Sequence, residues 1–183
     1  RKALSVSLSD IAAMGGTPKR VLVTLGLPKR ISLLFLDKLY SGFNEICNQF
    51  KVELAGGDTV SSPQCFFINV AVIGEAKRIF TRKGAKPGDL IFVTGTLGDS
   101  SLGLKLIGKK KKGGKDNKFL IDRHLDPTPR VKEAGILARS KLDITSMIDI
   151  SDGLVQDLYH ICKASNVGAR IYQDMLPQSP EFA

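Results

Sequence analysis

Apolar residues along the chain recur at two spacings, one typical of helices and one typical of strands. Leu4, Leu8 and Ile11 mark one face of a helix, and short β-branched or apolar runs indicate strands between such segments. The helical patterns cover residues 3–14, 32–50, 99–107, 119–124, 130–139 and 151–164, and the strand patterns cover residues 21–27, 66–73, 90–94, 147–150 and 168–172. Because the two patterns alternate, the sequence predicts an α/β (α+β) fold.

The chain changes character after its first 75 residues. Residues 84–89 carry turn-forming glycine and proline, and residues 90–94 then predict a buried strand. We therefore expect a partial N-terminal α/β domain over residues 1–75 and a partial C-terminal α/β domain over residues 76–183. The chain starts inside a helical pattern and stops without a closing element, so we also expect it to be truncated at both ends.

Composition narrows the class of protein. The chain is 43% apolar and 25% charged, which is close to average soluble usage, and no apolar run approaches the ~20 residues that span a bilayer. Its three cysteines, Cys47, Cys65 and Cys162, are odd in number, widely spaced and free of any CxxC pattern. Reduced thiols and a cytoplasmic location are therefore expected, with no membrane partner.

The net charge of +9 admits a polyanionic partner such as nucleic acid. Part of that charge comes from one glycine-interrupted run, Lys109, Lys110, Lys111, Lys112 and Lys115, which has no aromatic residues beside it. This composition favours a solvated surface loop over an RNA-binding patch, so no nucleic-acid partner is expected. Basic charge also suits an enzyme that handles phosphates.

Four aspartates lie at positions where a purely structural role does not readily explain an acidic residue. Asp10 lies beside the apolar stripe of its helix, Asp58 follows two glycines at the predicted end of a strand, Asp149 lies inside an apolar run, and Asp152 comes at a strand-to-helix turn. Acidic residues are rarely buried unless they are paired or bind metal. Mg²⁺ prefers such hard oxygen ligands, together with waters and substrate phosphates.

Each aspartate also has a structural explanation. Asp152 and Ser151 are able to cap the following helix, Asp58 to stabilise a glycine turn, and Asp10 to lie in solvent. For Asp10, Asp58 and Asp152 the sequence does not decide between these structural roles and metal binding. For Asp149, the apolar neighbours favour a functional role over a structural one. Spacing alone does not bring the four carboxylates together.

Six segments of the chain are similar to motifs that occur together, in the same order, in one family. They are residues 2–15, similar to KALAVNLSDLAAMG, 55–59 to GGDT, 82–89 to RSGAKPGD, 94–100 to TGxxGDS, 126–130 to PxPR, and 148–154 with Asp157 and His160 to IDxSDGLxxDLxHI. The likeness extends over essentially the whole chain, which therefore resembles the thiamine-monophosphate kinases, within the aminoimidazole ribonucleotide synthetase-like superfamily.

This resemblance implies ATP-dependent transfer of a phosphoryl group onto thiamine monophosphate, giving thiamine diphosphate. It also implies an N-terminal domain whose sheet pairs across a homodimer. Carried over by position, the Mg²⁺-binding residues are Asp10, Asp58, Asp149 and Asp152, and the ATP-binding positions are Arg82, Ser151 and Gly57. No residue is predicted to act as a general base, because a substrate phosphate oxygen is already ionised.

Two departures and two alternatives accompany the resemblance. Ser7 stands where the family usually has Asn, and Lys83 where it often has Ser. The family's N-terminal and C-terminal segments, which hold further metal-binding and thiamine-binding residues, are not matched. The alternatives are another ATP-dependent enzyme of the same superfamily and a fragment that does not catalyse.

Overall fold

Helices and strands alternate through the first half of the chain and helices dominate the second. The computed structural model describes residues 1–109 and 115–182. In chain order the elements are α1 (Lys2–Ala13), β1 (Thr17–Leu27), α2 (Leu33–Phe50), β2 (Glu53–Ser61), β3 (Phe67–Glu75), α3 (Asp99–Gly108), α4 (Lys115–Leu125), α5 (Val131–Arg139), α6 (Leu154–Ser165) and a 3-10 turn (Gln173–Met175). The predicted mixed α/β class is confirmed.

The three strands form one sheet in the order β2-β1-β3. β1 runs parallel to β2 and antiparallel to β3, so that β1 is paired on both sides. The parallel pair requires a crossover connection, which α2 supplies. Ser32 caps α2 by accepting the backbone N–H of Phe35 on its hydroxyl, at 3.2 Å.

The core lies between α1, α2 and one face of the sheet. Val21, Val23 and Leu25 alternate along β1 and are all buried, as the two-residue period of a strand requires. They pack in one cluster with residues of α1, α2 and the turn after α2, namely Leu4, Leu8, Phe43, Ile46, Cys47 and Val52. Burying these side chains is the main contribution to the stability of this half.

The opposite face of the sheet is open. Leu22, Val60, Phe67 and Ile73 are apolar residues that remain exposed there. The ring of Phe67 covers Gly26, where a Cβ atom would lie within 2.0 Å of that ring. This face therefore exposes two groups of apolar side chains, Leu22 with Ile73 and Val60 with Phe67, on either side of the polar row Asp58, Thr24 and Asn69.

Three predicted strands are absent from the described structure. Residues 90–94, 147–150 and 168–172 are irregular, and Leu90 and Phe92 are 79% and 84% exposed rather than buried. An apolar run becomes a strand only when a neighbour pairs with it, and every ladder in the described residues joins β1, β2 and β3. The prediction that Asp58 ends a strand is also wrong, because Asp58 lies inside β2.

The predicted lysine loop lies mostly outside the described residues. Lys109 follows α3 directly and is exposed, whereas Lys110, Lys111 and Lys112 are not among the described positions. The prediction is wrong for Lys115, which begins α4 and does not lie in a loop. Within the described ranges, no helix combines the length and apolarity needed to cross a membrane.

Candidate functional site

The second half of the chain docks on the turn that follows α1. The carbonyl of Met14 accepts the backbone N–H of Phe80 at 3.1 Å, and the Phe80 side chain is buried. Gly15 has a positive φ of 72°, and a Cβ atom there would lie 2.7 Å from the Phe80 ring. Only glycine permits both the turn and this close approach. The docking brings residues 81 and 82 near the last turns of α1.

Asp149 and Arg82 lie near enough to Asp10, an exposed residue of α1, for their charges to affect its ionisation. Asp10 projects from α1, and Asp149 follows the segment in which the N–H of Met147 donates to the carbonyl of Thr81 at 3.0 Å. Burial raises the pKa of Asp10, the charge of Asp149 raises it further, and Arg82 lowers it. Two carboxylates therefore repel each other beside one guanidinium group.

Asp58 and Gly57 line a separate pocket of about 400 Å³. Asp58 pairs with Thr24 in the parallel ladder, and its carboxylate accepts the N–H of Thr59 at 2.8 Å. Tyr40 of α2 lines the same pocket. A Cβ atom at Gly57 would lie 1.8 Å from the carbonyl oxygen of Val23, so no side chain fits there.

Ser151 and Asp152 lie exposed in the loop before α6. Their backbone N–H groups, with that of Gly153, donate to one carboxylate oxygen of Asp157 at 2.9, 3.1 and 3.1 Å. Asp157 is only 3% exposed. The predicted capping of α6 by Ser151 or Asp152 is wrong, because no side chain caps this helix at its N-cap, Gly153.

The structure thus gathers part of the predicted site. It brings Asp10 to Asp149 and Arg82, and it gives Asp58 and Asp152 separate surroundings. No three His, Cys, Asp or Glu side chains among residues 1–109 and 115–182 lie close enough to form a metal site on their own. The metal-binding and ATP-binding assignments therefore remain predictions.

The donor chemistry at the junction suits Mg²⁺. Carboxylate oxygens are its preferred protein ligands, and one or two of them suffice when phosphates and waters complete the shell. Partial burial, followed by the charge of Asp149, raises the pKa of Asp10 and so opposes its ionisation. A divalent cation between the two carboxylates would reverse that effect.

Sequence reasoning missed the roles of three residues. Asp157 falls in the first turn of α6, where an acidic residue would ordinarily be explained by the helix dipole. Ser165 accepts the N–H groups of Gly84 and Ala85 on its hydroxyl, at 3.0 and 3.1 Å. Tyr40 stands in a helix, and only the tertiary fold shows that it faces the Asp58 pocket.

A larger groove of about 600 Å³ runs along α6 and the segment after it. Val155, Tyr159, Cys162 and Lys163 are among its lining residues, and none of the predicted site residues lines it. We therefore centre the candidate site on the junction of Asp10, Asp149 and Arg82 rather than on the larger groove.

Fold and site together define a mixed α/β protein with an oxygen-rich junction suited to a hard cation. Family models for the N-terminal and C-terminal domains of AIR synthase related proteins match residues 1–76 and 86–182. The chain belongs to the AIR synthase related family.

Among curated proteins, the thiamine-monophosphate kinase of Escherichia coli K12 is 41% identical over 181 residues, which is 97% of this chain and 54% of that protein. The crystal structure of thiamine monophosphate kinase from Aquifex aeolicus has a TM-score of 0.92 and 38% identity, and the match covers 98% of this chain and 61% of that one. A structure described as AaThiL complexed with AMPPCP and TMP has a TM-score of 0.93 and 38% identity, covering 98% and 57%. The chain spans about half the length of the curated relatives it matches.

Proposed function

We propose that this chain supplies the ATP-binding and Mg²⁺-binding part of an enzyme that phosphorylates thiamine monophosphate to thiamine diphosphate. The observation that carries this proposal is the match of the fold to the AMPPCP and TMP complex, with a TM-score of 0.93 over 98% of this chain. The electrostatic effect of Asp149 and Arg82 on Asp10 agrees with it. Paired carboxylates beside a guanidinium are the groups that phosphoryl transfer requires for charge neutralisation.

The proposed roles follow from chemistry and position. Asp10 and Asp149 would hold Mg²⁺, with Asp58 from β2 and Asp152 from the loop before α6 as further ligands. Arg82 would contact the triphosphate, and the backbone at Gly57, which lines the Asp58 pocket, would contact the nucleotide. Mg²⁺, when bound, supplies neutralisation of the phosphate charge. Ser151 would add a hydroxyl contact to ATP from the loop before α6.

The chain's own contribution to the reaction is positioning. A phosphate oxygen of thiamine monophosphate is ionised at neutral pH, so it can attack the γ-phosphorus in line without a protein base. Arg82 would orient the phosphates of the donor, the carboxylates would act on them only by holding Mg²⁺, and the leaving group is ADP. Holding both reactants in this alignment removes much of the entropic barrier.

A homodimer is the proposed assembly. The open face of the sheet exposes Leu22, Val60, Phe67 and Ile73, and exposed apolar side chains on an uncovered sheet face suit a subunit interface. We also place the enzyme in the cytoplasm, a location supported by three free cysteines, Cys47, Cys65 and Cys162.

The test joins this chain to the flanking segments of the Escherichia coli relative, here called the joined protein. Thiamine diphosphate formation from ATP and thiamine monophosphate is measured by chromatography with and without Mg²⁺. We expect Mg²⁺-dependent product from the parent and none from the folded double variant Asp149→Asn, Asp152→Asn.

Asp37→Asn serves as the matched control, because Asp37 is an exposed carboxylate on α2. It should retain parental activity. A joined protein that is folded and binds AMPPCP yet forms no thiamine diphosphate would overturn the assignment. Activity on another phosphate acceptor would then favour a different ATP-dependent enzyme of the superfamily.

A further inference from the structure

Asp157 makes an unusual set of hydrogen bonds at the start of α6. One of its carboxylate oxygens accepts three consecutive backbone N–H groups, those of Ser151, Asp152 and Gly153. A buried carboxylate is costly unless it is well satisfied, and hydrogen bonds to an ionised acceptor are about twice as strong as neutral ones. Asp157 therefore ties the backbone of this loop to the helix.

The three hydrogen bonds to Asp157 determine the direction in which the side chains of this loop point. The backbone N–H groups of Ser151 and Asp152 point to α6, while both residues are exposed to solvent. Gly153 has a φ of 125°, and no heavy atom lies within 4 Å of where its Cβ would be. Glycine is therefore favoured at position 153 because of the positive φ of the turn, and not because a side chain would clash.

The other end of α6 holds a second loop. Ser165 lies eight residues after Asp157, about 12 Å along the helix axis at the usual rise per residue. Its hydroxyl accepts the N–H groups of Gly84 and Ala85 at 3.0 and 3.1 Å and donates to the carbonyl of Arg82 at 3.1 Å. These bonds fix the backbone immediately around Arg82.

We propose that α6 is the positioning element of the site, acting through Asp157 at one end and Ser165 at the other. Neither side chain touches the nucleotide. Asp157 holds the loop of Ser151 and Asp152, Ser165 holds the loop of Arg82, and the helix fixes the spacing of the two loops. This inference rests on the proposed function, because it takes both loops to contact ATP and its cation.

The test uses the joined protein, with the variants Asp157→Ala, Asp157→Asn and Ser165→Ala. Hydrogen exchange followed by mass spectrometry reports on peptides containing residues 84–85 and 151–153. Calorimetric titration gives the Kd of AMPPCP in the presence of Mg²⁺, and thermal unfolding gives Tm. Asp99→Asn is the matched control, since Asp99 is another buried carboxylate, 2% exposed and bonded to Thr96 and Ser179.

We expect Asp157→Ala to speed exchange at residues 151–153 and to weaken AMPPCP binding by about tenfold or more, because bonds to a charged acceptor are lost. Asp157→Asn keeps an acceptor oxygen and should recover most of both losses. Ser165→Ala should speed exchange at residues 84–85 and also weaken AMPPCP binding. Asp99→Asn should lower Tm while leaving exchange in both loops and the Kd unchanged.

Two results would overturn the positioning role of α6, and a third would overturn the proposed function alone. Parental exchange and Kd in Asp157→Ala would overturn the positioning role. An equal loss of affinity in Asp99→Asn would also overturn it, because general destabilisation would then explain the effect. If the parent fails to bind AMPPCP while exchange at residues 151–153 still depends on Asp157, the proposed function falls and the loop-holding role stands.

Discussion

The carboxylate of Asp10 is an unfavourable feature of the fold when no cation accompanies it. Burial and the charge of Asp149 raise its pKa above the ordinary value of 3.8, and Arg82 offsets only part of this. A raised pKa means that the folded state binds this proton more tightly than the unfolded state. By linkage, this group lowers stability as pH rises through its pKa in the folded protein.

Asp10→Asn should therefore raise the Tm of the metal-free joined protein at pH 7, by about a degree or two for a partly exposed group. The gain should vanish at acidic pH, where Asp10 is protonated in the parent. The same substitution should weaken Mg²⁺-dependent AMPPCP binding. Thermal unfolding with a chelator at pH 7 and at low pH gives the comparison.

Asp37→Asn, an exposed carboxylate on the same half, controls for the general effect of losing one negative charge. A metal-free Asp10→Asn protein that melts below the parent at pH 7 would contradict the proposed repulsion between Asp10 and Asp149.

Gly57 is required by the close approach of two strands. A Cβ atom at this position would lie 1.8 Å from the carbonyl oxygen of Val23, and the φ of 155° disfavours other residues. We expect Gly57→Ala to destabilise the protein by about 1 to 3 kcal/mol, since β1 and β2 must move apart. Urea unfolding measures the change.

Gly168→Ala is the matched control, because no heavy atom lies within 4 Å of a Cβ at Gly168 and its φ is not positive. It should leave the urea midpoint nearly unchanged. Equal midpoints for the two variants would show that the strands tolerate a side chain at residue 57.

At the scale of elements, helices were predictable and strands only in part. The apolar periodicity of α1, α2, α5 and α6 places each helix within a few residues of its observed bounds, because helical hydrogen bonds are local. A strand depends on a partner distant in sequence. Residues 90–94 have the composition of a strand but pair with no other strand in the described structure. The strand predicted there from composition is therefore wrong.

The residues of the candidate site could likewise be predicted from sequence only where the signal is local. Asp149 was singled out because a charged residue among apolar neighbours is conspicuous in sequence, and Asp10 proves to be its electrostatic neighbour. That pairing arises from the docking of Phe80 on Gly15, which no periodicity reveals. Asp157 and Ser165 act on backbone groups of other segments, so their roles appear only in three dimensions.

The turn at residues 86–89 is fastened to the loop before residue 147 by Asp89. Its carboxylate accepts the hydroxyl of Thr145 at 2.7 Å and the N–H of Lys86 at 2.8 Å. The Thr145 bond, followed by the Lys86 bond, lowers the pKa of Asp89 below its ordinary value of 3.8. The stabilisation is therefore present above that ordinary value and lost as pH falls through the folded pKa.

Thr145→Val removes the hydrogen bond that contributes most to the lowered pKa of Asp89. We expect a lower Tm than the parent at pH 6, with the difference shrinking as pH falls below 3.8. Thr128→Val, at an exposed threonine, is the control and should follow the parent at both pH values. A Tm difference that is constant with pH would show that Asp89 does not mediate the effect.

At the scale of the whole molecule, the proposed homodimer would place the open sheet face at the subunit interface. Leu22→Glu together with Ile73→Glu places two charges on exposed apolar positions of that face. We expect the joined protein to change from dimer to monomer in sedimentation velocity, because burying unpaired charges at an interface is unfavourable. Ile136→Glu, at an exposed position on α5, is the control and should stay dimeric.

A double variant that sediments as a dimer would show that another surface joins the subunits. A parent that is monomeric at every concentration would overturn the proposed homodimer itself.

The central strand of the sheet precedes both of its partners in sequence, and this has a consequence for the order of folding. β1 ends at Leu27, and neither of its partners, β2 and β3, begins before Glu53. Pairing of β1 therefore requires the closure of long loops, whereas the hydrogen bonds of α1 and α2 are local. In a refolding experiment the two helices should therefore gain protection from hydrogen exchange before the sheet does.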